Sequence, residues 1–441
     1  MYVEQTIPLH SVEAETAGVP NAFLTEMLLR HLSRMGELPL FQIAKRMGMS
    51  PVQVLPLLVH MRALQLIEVP RRGETEGDVS YALTEGGRNQ GALAFERCQY
   101  VGPAPVPLWE YVDRVNRQSL RHQPTTVQRL KDAMGTLVLE DDLLPTLGSA
   151  LNSGKAIYLY GPSGTGKSYL AEHLVKTLQG EIWVPHAIYV EGEVIQVFDP
   201  TVHHAVEQTV QERHLSRDEA ADGRWVRVAR PVVVTAGELT LQMLDLEFDR
   251  MSRLYVAPPQ MKANNGILVV DDLGRQRVSA RDLLNRWIVP LDRHVDYLGL
   301  HTGATFEVPF DVTVIFASNL TPEELTDPAF ARRLGYKIAI GAMSQEGYRK
   351  VIAQACKRVG VTADPVSIDF MIERLHPSYE QAYLPCIPYD VISKIRDRAL
   401  YLGQSPRLTP DLIEWAWKTY FGAGSQPQPG LASNGFEERR T

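Results

Sequence analysis

A strand-like run, Ala156–Tyr160, leads straight into Gly161-Pro162-Ser163-Gly164-Thr165-Gly166-Lys167-Ser168, and an amphipathic helical pattern begins at Tyr169. Glycines at 161, 164 and 166 let the backbone curl until its N–H groups face phosphate oxygens. A helix starting there turns the positive end of its dipole toward the same anion. An ammonium at Lys167 then reaches the β- and γ-phosphates of ATP, and the Ser168 hydroxyl ligates Mg²⁺. All eight residues are read as the ATP-binding loop, because strand, loop and helix follow in the order this chemistry needs.

Ile267-Leu-Val-Val-Asp271-Asp272 is an apolar strand that ends in two carboxylates, 104 positions after Lys167. A buried parallel strand delivers acid at its carboxyl end, where doubly wound sheets place ligands. Asp271 fits the organisation of Mg²⁺, and Asp272 stands where a carboxylate would orient the attacking water. A third apolar strand, Val312–Ala317, ends in Ser318-Asn319, 48 residues after Asp271. Its amide can bridge the γ-phosphate and that water. Then Arg332 and Arg333 precede the apolar run Leu334–Ile338.

This ordered set resembles the AAA+ ATPases over roughly residues 125–422. The resemblance implies that Lys167 and Ser168 belong to Walker A, Asp271 and Asp272 to Walker B, and Asn319 to sensor 1. It also implies that Arg333, with Arg332 beside it, reaches a neighbour's nucleotide as an arginine finger in a homo-oligomeric ring, commonly a hexamer. The chain departs from the family at two points. Walker B carries Asp272 in place of the usual glutamate, and Tyr389 of Pro388-Tyr389-Asp390 stands where a sensor-2 arginine is expected, with Arg396 two turns on as a weak substitute. An Asp-Asp Walker B also occurs in helicase loaders and transposition helpers.

The elements that would hold these residues form an α/β domain over 125–342. It is a three-layer parallel sheet with a β-rich insertion at about 186–235, containing strand-like Ile188–Phe198 and Arg224–Thr235 around the charged stretch Glu207–Arg224 with His214. The run Tyr297–Phe310, with Gly303 at its centre, is read as a hairpin that resembles those of the MoxR-like and helicase-related branches. Residues 343–422 are expected to form a helical lid, and 423–441, rich in Gly, Ser, Pro and Gln, a disordered tail. No aromatic-apolar-Gly pore loop is seen. Tyr255-Val-Ala-Pro precedes the Walker B strand, which argues against a threading unfoldase.

After an N-terminal tail (1–20), residues 21–100 resemble a winged helix-turn-helix. Helices are expected over Phe23–Met35, Leu40–Met47 and Pro51–Gln65, the last capped by Ser50-Pro51. Strands Leu66–Val69 and Val79–Leu83 flank the polar turn Arg71–Asp78. The segment 101–124 reads as a Pro-rich linker and a bridge with Trp109, Tyr111 and Val115. Residues 1–100 hold nine Lys/Arg and eleven Asp/Glu, a net of −2, and the third helix offers only His60 and Arg62 as cations. A protein client is therefore favoured over DNA, which needs several phosphate-neutralising cations.

The whole chain has 441 residues and a net charge of −7, giving no global pull toward nucleic acid or membrane. Cys98, Cys356 and Cys386 lie far apart, so neither a disulfide scaffold nor a thiolate zinc site is expected. Cys356 and Cys386 read as buried fillers, His203-His204 as a solvated turn, and Trp415, Trp417, Tyr420 and Phe421 as lid core or interface. No apolar run is long enough for a membrane span and no signal-peptide core is seen, so a cytoplasmic protein is expected. Three functions fit: an ATP-driven remodeller of a protein complex, a DNA-associated loader or transposition helper, or a nucleotide-dependent scaffold with little turnover.

Overall fold

The structure, a computed structural model, describes residues 15–71, 79–206, 222–325 and 328–422. Five strands form one parallel sheet in the order Val232–Thr235, Ile267–Val270, Thr313–Ser318, Ala156–Tyr160, Leu334–Ala339. The strand that comes first along the chain lies fourth in the sheet, with Ile315 opposite Ile157 on one side and Leu334 opposite Ala156 on the other. Ile267–Val270 and Thr313–Ser318 are buried at every position. Such continuous apolar runs suit parallel strands covered on both faces. The α/β class expected from the sequence is what the chain adopts.

One boundary moves. Val232–Thr235, assigned from sequence to the end of the insertion, is an edge strand of this sheet, with Val232 opposite Ile267. The insertion stops short of it. Most of its charged stretch, His214 included, lies outside the described residues.

The chain divides into two compact units: Met1–Pro124 with Leu178–Val270 and Arg275–Val314, and Thr125–Thr177 with Asp271–Gly274 and Ile315–Thr441. In the first, helices Asn21–Met35, Leu40–Met47 and Pro51–Ala63 accompany a three-stranded antiparallel sheet whose first strand, Leu38–Pro39, lies between the first two helices and pairs with Ser80–Leu83, which in turn pairs with Ile67–Arg71. Ser50 Oγ accepts from the Gln53 amide while Gln53 Oε1 accepts from the Ser50 amide, a reciprocal cap that fixes where the third helix starts. The expected turn lies outside the described residues beyond Arg71. A fourth helix, Glu85–Arg97, is absent from the sequence reading. Its glycines blur the helical pattern, yet at Gly87 a Cβ would sit 1.9 Å from the Leu66 carbonyl oxygen, so close packing requires the bare backbone.

Residues 101–108, read from the sequence as a stiff, extended Pro-rich linker, are tied into the fold. The Ala104 amide donates to the Met47 carbonyl, and Val106–Pro107 pairs with Ala187–Val190. This pair continues through Glu193–Gln196, Leu254–Val256 and Glu247–Asp249 into a second five-stranded sheet. Ala187 and Val194 from it share one apolar core with Leu28, Met47 and Leu58. Within this unit, therefore, the insertion and the N-terminal helices fold as one body. Tyr255 is buried in the sheet, and the hairpin Val295–Gly299/Thr305–Pro309 forms as expected. His203 is not in a solvated turn: it is buried, its Nδ1 accepts from the Asp199 amide and its Nε2 meets the Lys262 carbonyl. Burial holds its pKa below the usual histidine value.

In the second unit, helices Gln345–Val359, Cys386–Tyr401 and Pro410–Phe421 pack around Tyr348, Ile392 and Trp417. Cys356 is buried here, whereas Cys386 is only half-buried. No helix among the described residues is long and apolar enough to cross a membrane.

Candidate active site

At the end of the strand Ala156–Tyr160 the chain turns through Gly161 at φ 146°, Gly164 at φ 81° and Gly166 at φ 88°. A Cβ on Gly161 would lie 2.2 Å from the Ile340 carbonyl oxygen, and one on Gly164 would lie 2.5 Å from Cys386 Sγ. Both conformation and space demand glycine. Gly166 then caps the helix Lys167–Val175, and the loop closes around the Lys167 side chain, only 7% exposed. Its ammonium donates to the carbonyls of Gly161 (2.9 Å) and Pro162 (2.8 Å) and to Asn319 Oδ1 (2.9 Å).

The two acidic residues take different positions. Asp271 Oδ1 accepts the Ser168 hydroxyl at 2.8 Å and the Asp272 amide at 2.9 Å. Asp272 itself has φ 49°, a left-handed conformation that aspartate tolerates better than most residues. The turn is tied to the neighbouring strand: the Leu273 amide donates to the Ala317 carbonyl at 2.8 Å, and Ser318 Oγ donates to the Leu273 carbonyl at 2.5 Å. The ends of three strands thus bring Lys167, Ser168, Asp271, Asp272 and Asn319 together.

Ser163, Gly164, Lys167, Ser168, Asp272 and Asn319 line a cleft of about 410 Å³, closed on the lid side by Arg358, Pro385, Cys386 and Tyr389. Gly166, Tyr169, Pro385 and Tyr389 also border an adjoining cavity of about 440 Å³ with walls from Leu137, Val138, Leu139, Ile338 and Val351. An apolar cavity beside a phosphate cradle suits a nucleoside, and its volume falls within the range for small-ligand sites. Sequence reasoning missed Leu137–Leu139, a short apolar run with no chemistry of its own. It also missed Arg358, which carries no motif.

Arg332 and Arg333 do not join this cleft. They precede a strand whose register pairs Leu334 with Ala156 and Ala339 with Tyr160, so they lie at the sheet end opposite the loop. At roughly 3.3 Å per residue the strand alone sets them about 15 Å away. Arg396 is not among the residues that line this cleft; its guanidinium bonds Asp397 at 2.9 and 3.1 Å.

Among the described residues no cluster of three or more His, Cys, Asp or Glu forms a metal cage. Mg²⁺ rarely uses one. It keeps waters, shares phosphate oxygens and takes one or two protein ligands. The adjacent oxygens of Ser168 and Asp271 fit that habit.

Residues 140–293 match the AAA ATPase domain family, and 344–419 match a domain of unknown function (DUF8689). No curated protein matches the chain in sequence. Among solved structures it is similar to the RuvB Holliday junction branch migration motor of Thermotoga maritima, at 14% identity over 64% of this chain and 70% of that chain, TM-score 0.37. It is also similar to NtrX from Brucella abortus, at 13% identity over 65% and 57%, TM-score 0.39. NtrX in complex with ADP gives 15% identity over 74% and 65%, TM-score 0.38. Likenesses at these TM-scores do not bear on activity. The family match spans the phosphate loop and both Walker B aspartates, so residues 140–293 carry an AAA ATPase domain, set on the parallel sheet described above.

Proposed function

We propose that the protein is a Mg²⁺-dependent ATPase that works as an oligomeric ring and remodels a protein complex bound through its N-terminal helical body. One observation carries the catalytic half: Lys167, Ser168, Asp271, Asp272 and Asn319 converge on one cleft beside an apolar cavity.

In this reading the loop amides and Lys167 hold the β- and γ-phosphates, and Ser168 with Asp271 holds Mg²⁺. The metal neutralises charge on the phosphate oxygens when bound. Asp272 and Asn319 align a water for in-line attack on the γ-phosphorus. A new P–O bond forms, the bond to the bridging oxygen breaks, and ADP, phosphate and a proton leave. The remote position of Arg333 supports service to a neighbouring subunit's cleft, where a guanidinium would stabilise charge on the transferred group.

The outward face of the helix Pro51–Ala63 supports a protein client. Val52 is 80% and Val59 61% exposed, where a helix that reads duplex would present cations and amides. The test is ATP hydrolysis as a function of protein concentration, with and without duplex DNA. A rate per subunit that rises with concentration and ignores DNA is expected. Stimulation by duplex would instead favour the loader or transposition-helper class, and absence of turnover would favour a nucleotide-dependent scaffold.

A further inference from the structure

The helix Glu85–Arg97 and the hairpin Glu247–Asp249/Leu254–Val256 belong to the same unit, and together they wall an open groove of about 440 Å³. Leu93, Glu96 and Arg97 line one side of it, and Arg250, Met251 and Arg253 line the other. The hairpin tip is held in place. Asp249 Oδ1 accepts the Met251 amide at 2.9 Å, Oδ2 accepts the Ser252 hydroxyl at 2.6 Å, and the Arg253 amide donates to the Asp249 carbonyl at 2.7 Å. The Gln99 amide donates to the Ser252 carbonyl at 2.9 Å and ties the tip to the segment beyond the helix. Arg253 is thereby kept at φ 53°, a left-handed conformation uncommon outside glycine. Arg250 and Arg253 are exposed, and among the described residues neither enters an ion pair, whereas Glu26 holds Arg97 at 2.5 Å. Met251 is 82% and Leu93 45% exposed beside them.

On a chain whose net charge is −7, two open guanidiniums flanking an apolar side chain form a local surface of opposite sign. We infer that this groove binds an acidic segment of the protein client, with carboxylates on Arg250 and Arg253 and an apolar side chain against Met251 and Leu93. Guanidinium and carboxylate make charge-assisted, often bidentate bonds. Arginine and methionine are also the residue types enriched where proteins meet. A nucleic-acid backbone fits the groove less well. Its affinity grows with the number of phosphates neutralised, and two open cations supply little of it. Met251 and Leu93 would stay wet against such a backbone. The inference rests on the protein-client reading above and gives that client a chemistry. It does not depend on ATP turnover.

The test titrates full-length protein into a labelled peptide, Glu-Glu-Leu-Glu-Glu-Leu-Glu-Glu, and follows fluorescence anisotropy at one fixed salt concentration. A counterpart peptide with glutamine for every glutamate and a short labelled duplex are run beside it. Wild type is compared with Arg250→Glu/Arg253→Glu, Arg250→Lys/Arg253→Lys, Met251→Ala and the control Lys45→Glu, whose side chain does not line the groove. All four positions are exposed, so the fold should survive these changes. Charge reversal is expected to weaken acidic-peptide binding by about tenfold or more with an unchanged melting temperature, the loss of hydrogen bonds between charged groups. Lysine should keep part of the affinity, Met251→Ala should bind several-fold more weakly, and Lys45→Glu should match wild type. Peptide binding that ignores the charge reversal, or the loss of the glutamates, would overturn the proposal. So would duplex binding that the same reversal abolishes, which would assign the groove to nucleic acid. Silence of the wild type toward the peptide would overturn the groove as well. It would leave the client reading to the hydrolysis experiment above, so the two can fail separately.

Discussion

The Lys167 ammonium and the Asn319 side-chain oxygen meet at 2.9 Å across 152 residues of chain. The bond joins the phosphate loop to the end of the adjacent strand and holds the loop closed on its own carbonyls. An incoming triphosphate must take Lys167 from those partners, so the two residues should fail differently. Lys167→Ala is expected to abolish ATP binding in a fluorescence titration. Asn319→Ala should still bind ATP within about threefold, while turnover drops by about 10²–10³, the scale for losing one preorganised polar contact in a transition state. Equal loss of binding in both variants would show that Asn319 acts through the ground state.

The carboxylates also predict distinct defects. Asp271→Asn weakens an oxygen ligand beside Ser168, so added Mg²⁺ should no longer improve ATP affinity. Asp272→Asn keeps the shape of the turn and removes the base, so Mg²⁺-ATP binding should persist while phosphate release slows by about 10²–10⁴. A Mg²⁺ titration of each variant checks both.

What the sequence showed and what it hid have physical causes. The phosphate loop, Asp271, Asp272 and Asn319 were legible because a buried parallel strand ending in a polar residue leaves a recognisable pattern. The cap at Ser50-Pro51 left a mark as well, although the reciprocal bond from Gln53 came only with the structure. The edge strand Val232–Thr235 was misassigned because its run of valines adjoins the strand Trp225–Ala229, and periodicity cannot say which sheet a strand joins. Residues 101–108 look like a linker because proline suits both extended linkers and sheet edges. Arg358 gave no signal, since it reaches the cleft only because its helix, Gln345–Val359, lies beside the loop.

Gly161 carries a stability prediction. An alanine methyl would meet the Ile340 carbonyl at 2.2 Å in a backbone conformation that L-residues rarely adopt. Gly161→Ala should cost about 1–3 kcal/mol and impair nucleotide binding together with the melting temperature. Tolerance on both counts would mean that the loop has an alternative path.

Arg333 predicts complementation. Lys167→Ala has a finger but no working cleft, and Arg333→Ala has a cleft but no finger. Each should be inactive alone, and a mixture should regain turnover where an Arg333→Ala cleft meets the arginine of a Lys167→Ala neighbour. A mixture as inactive as its parts would rule out action in trans.

His376 supplies a pH prediction for the lid. It is buried, with Nε2 2.8 Å from the Tyr348 hydroxyl and Nδ1 2.9 Å from the Gln381 carbonyl. Burial pushes its pKa down to about 4 from 6.5. The folded lid therefore keeps the ring neutral, while the unfolded chain takes up a proton as pH falls past 6.5. Because the unfolded state binds more protons in this window, stability falls as pH drops from 6.5 toward 4 and levels off below that. The contribution is at most roughly 3 kcal/mol, from two and a half pK units at about 1.36 kcal/mol each. His31 and His203 of the other unit are also held below their usual values and will add to the dependence of the whole protein. The effect of His376 is therefore read as a difference. Urea midpoints followed by tryptophan fluorescence at pH 7 and pH 4.5 should draw closer together in His376→Gln than in wild type. An unchanged gap would mean that the ring is already protonated in the folded lid.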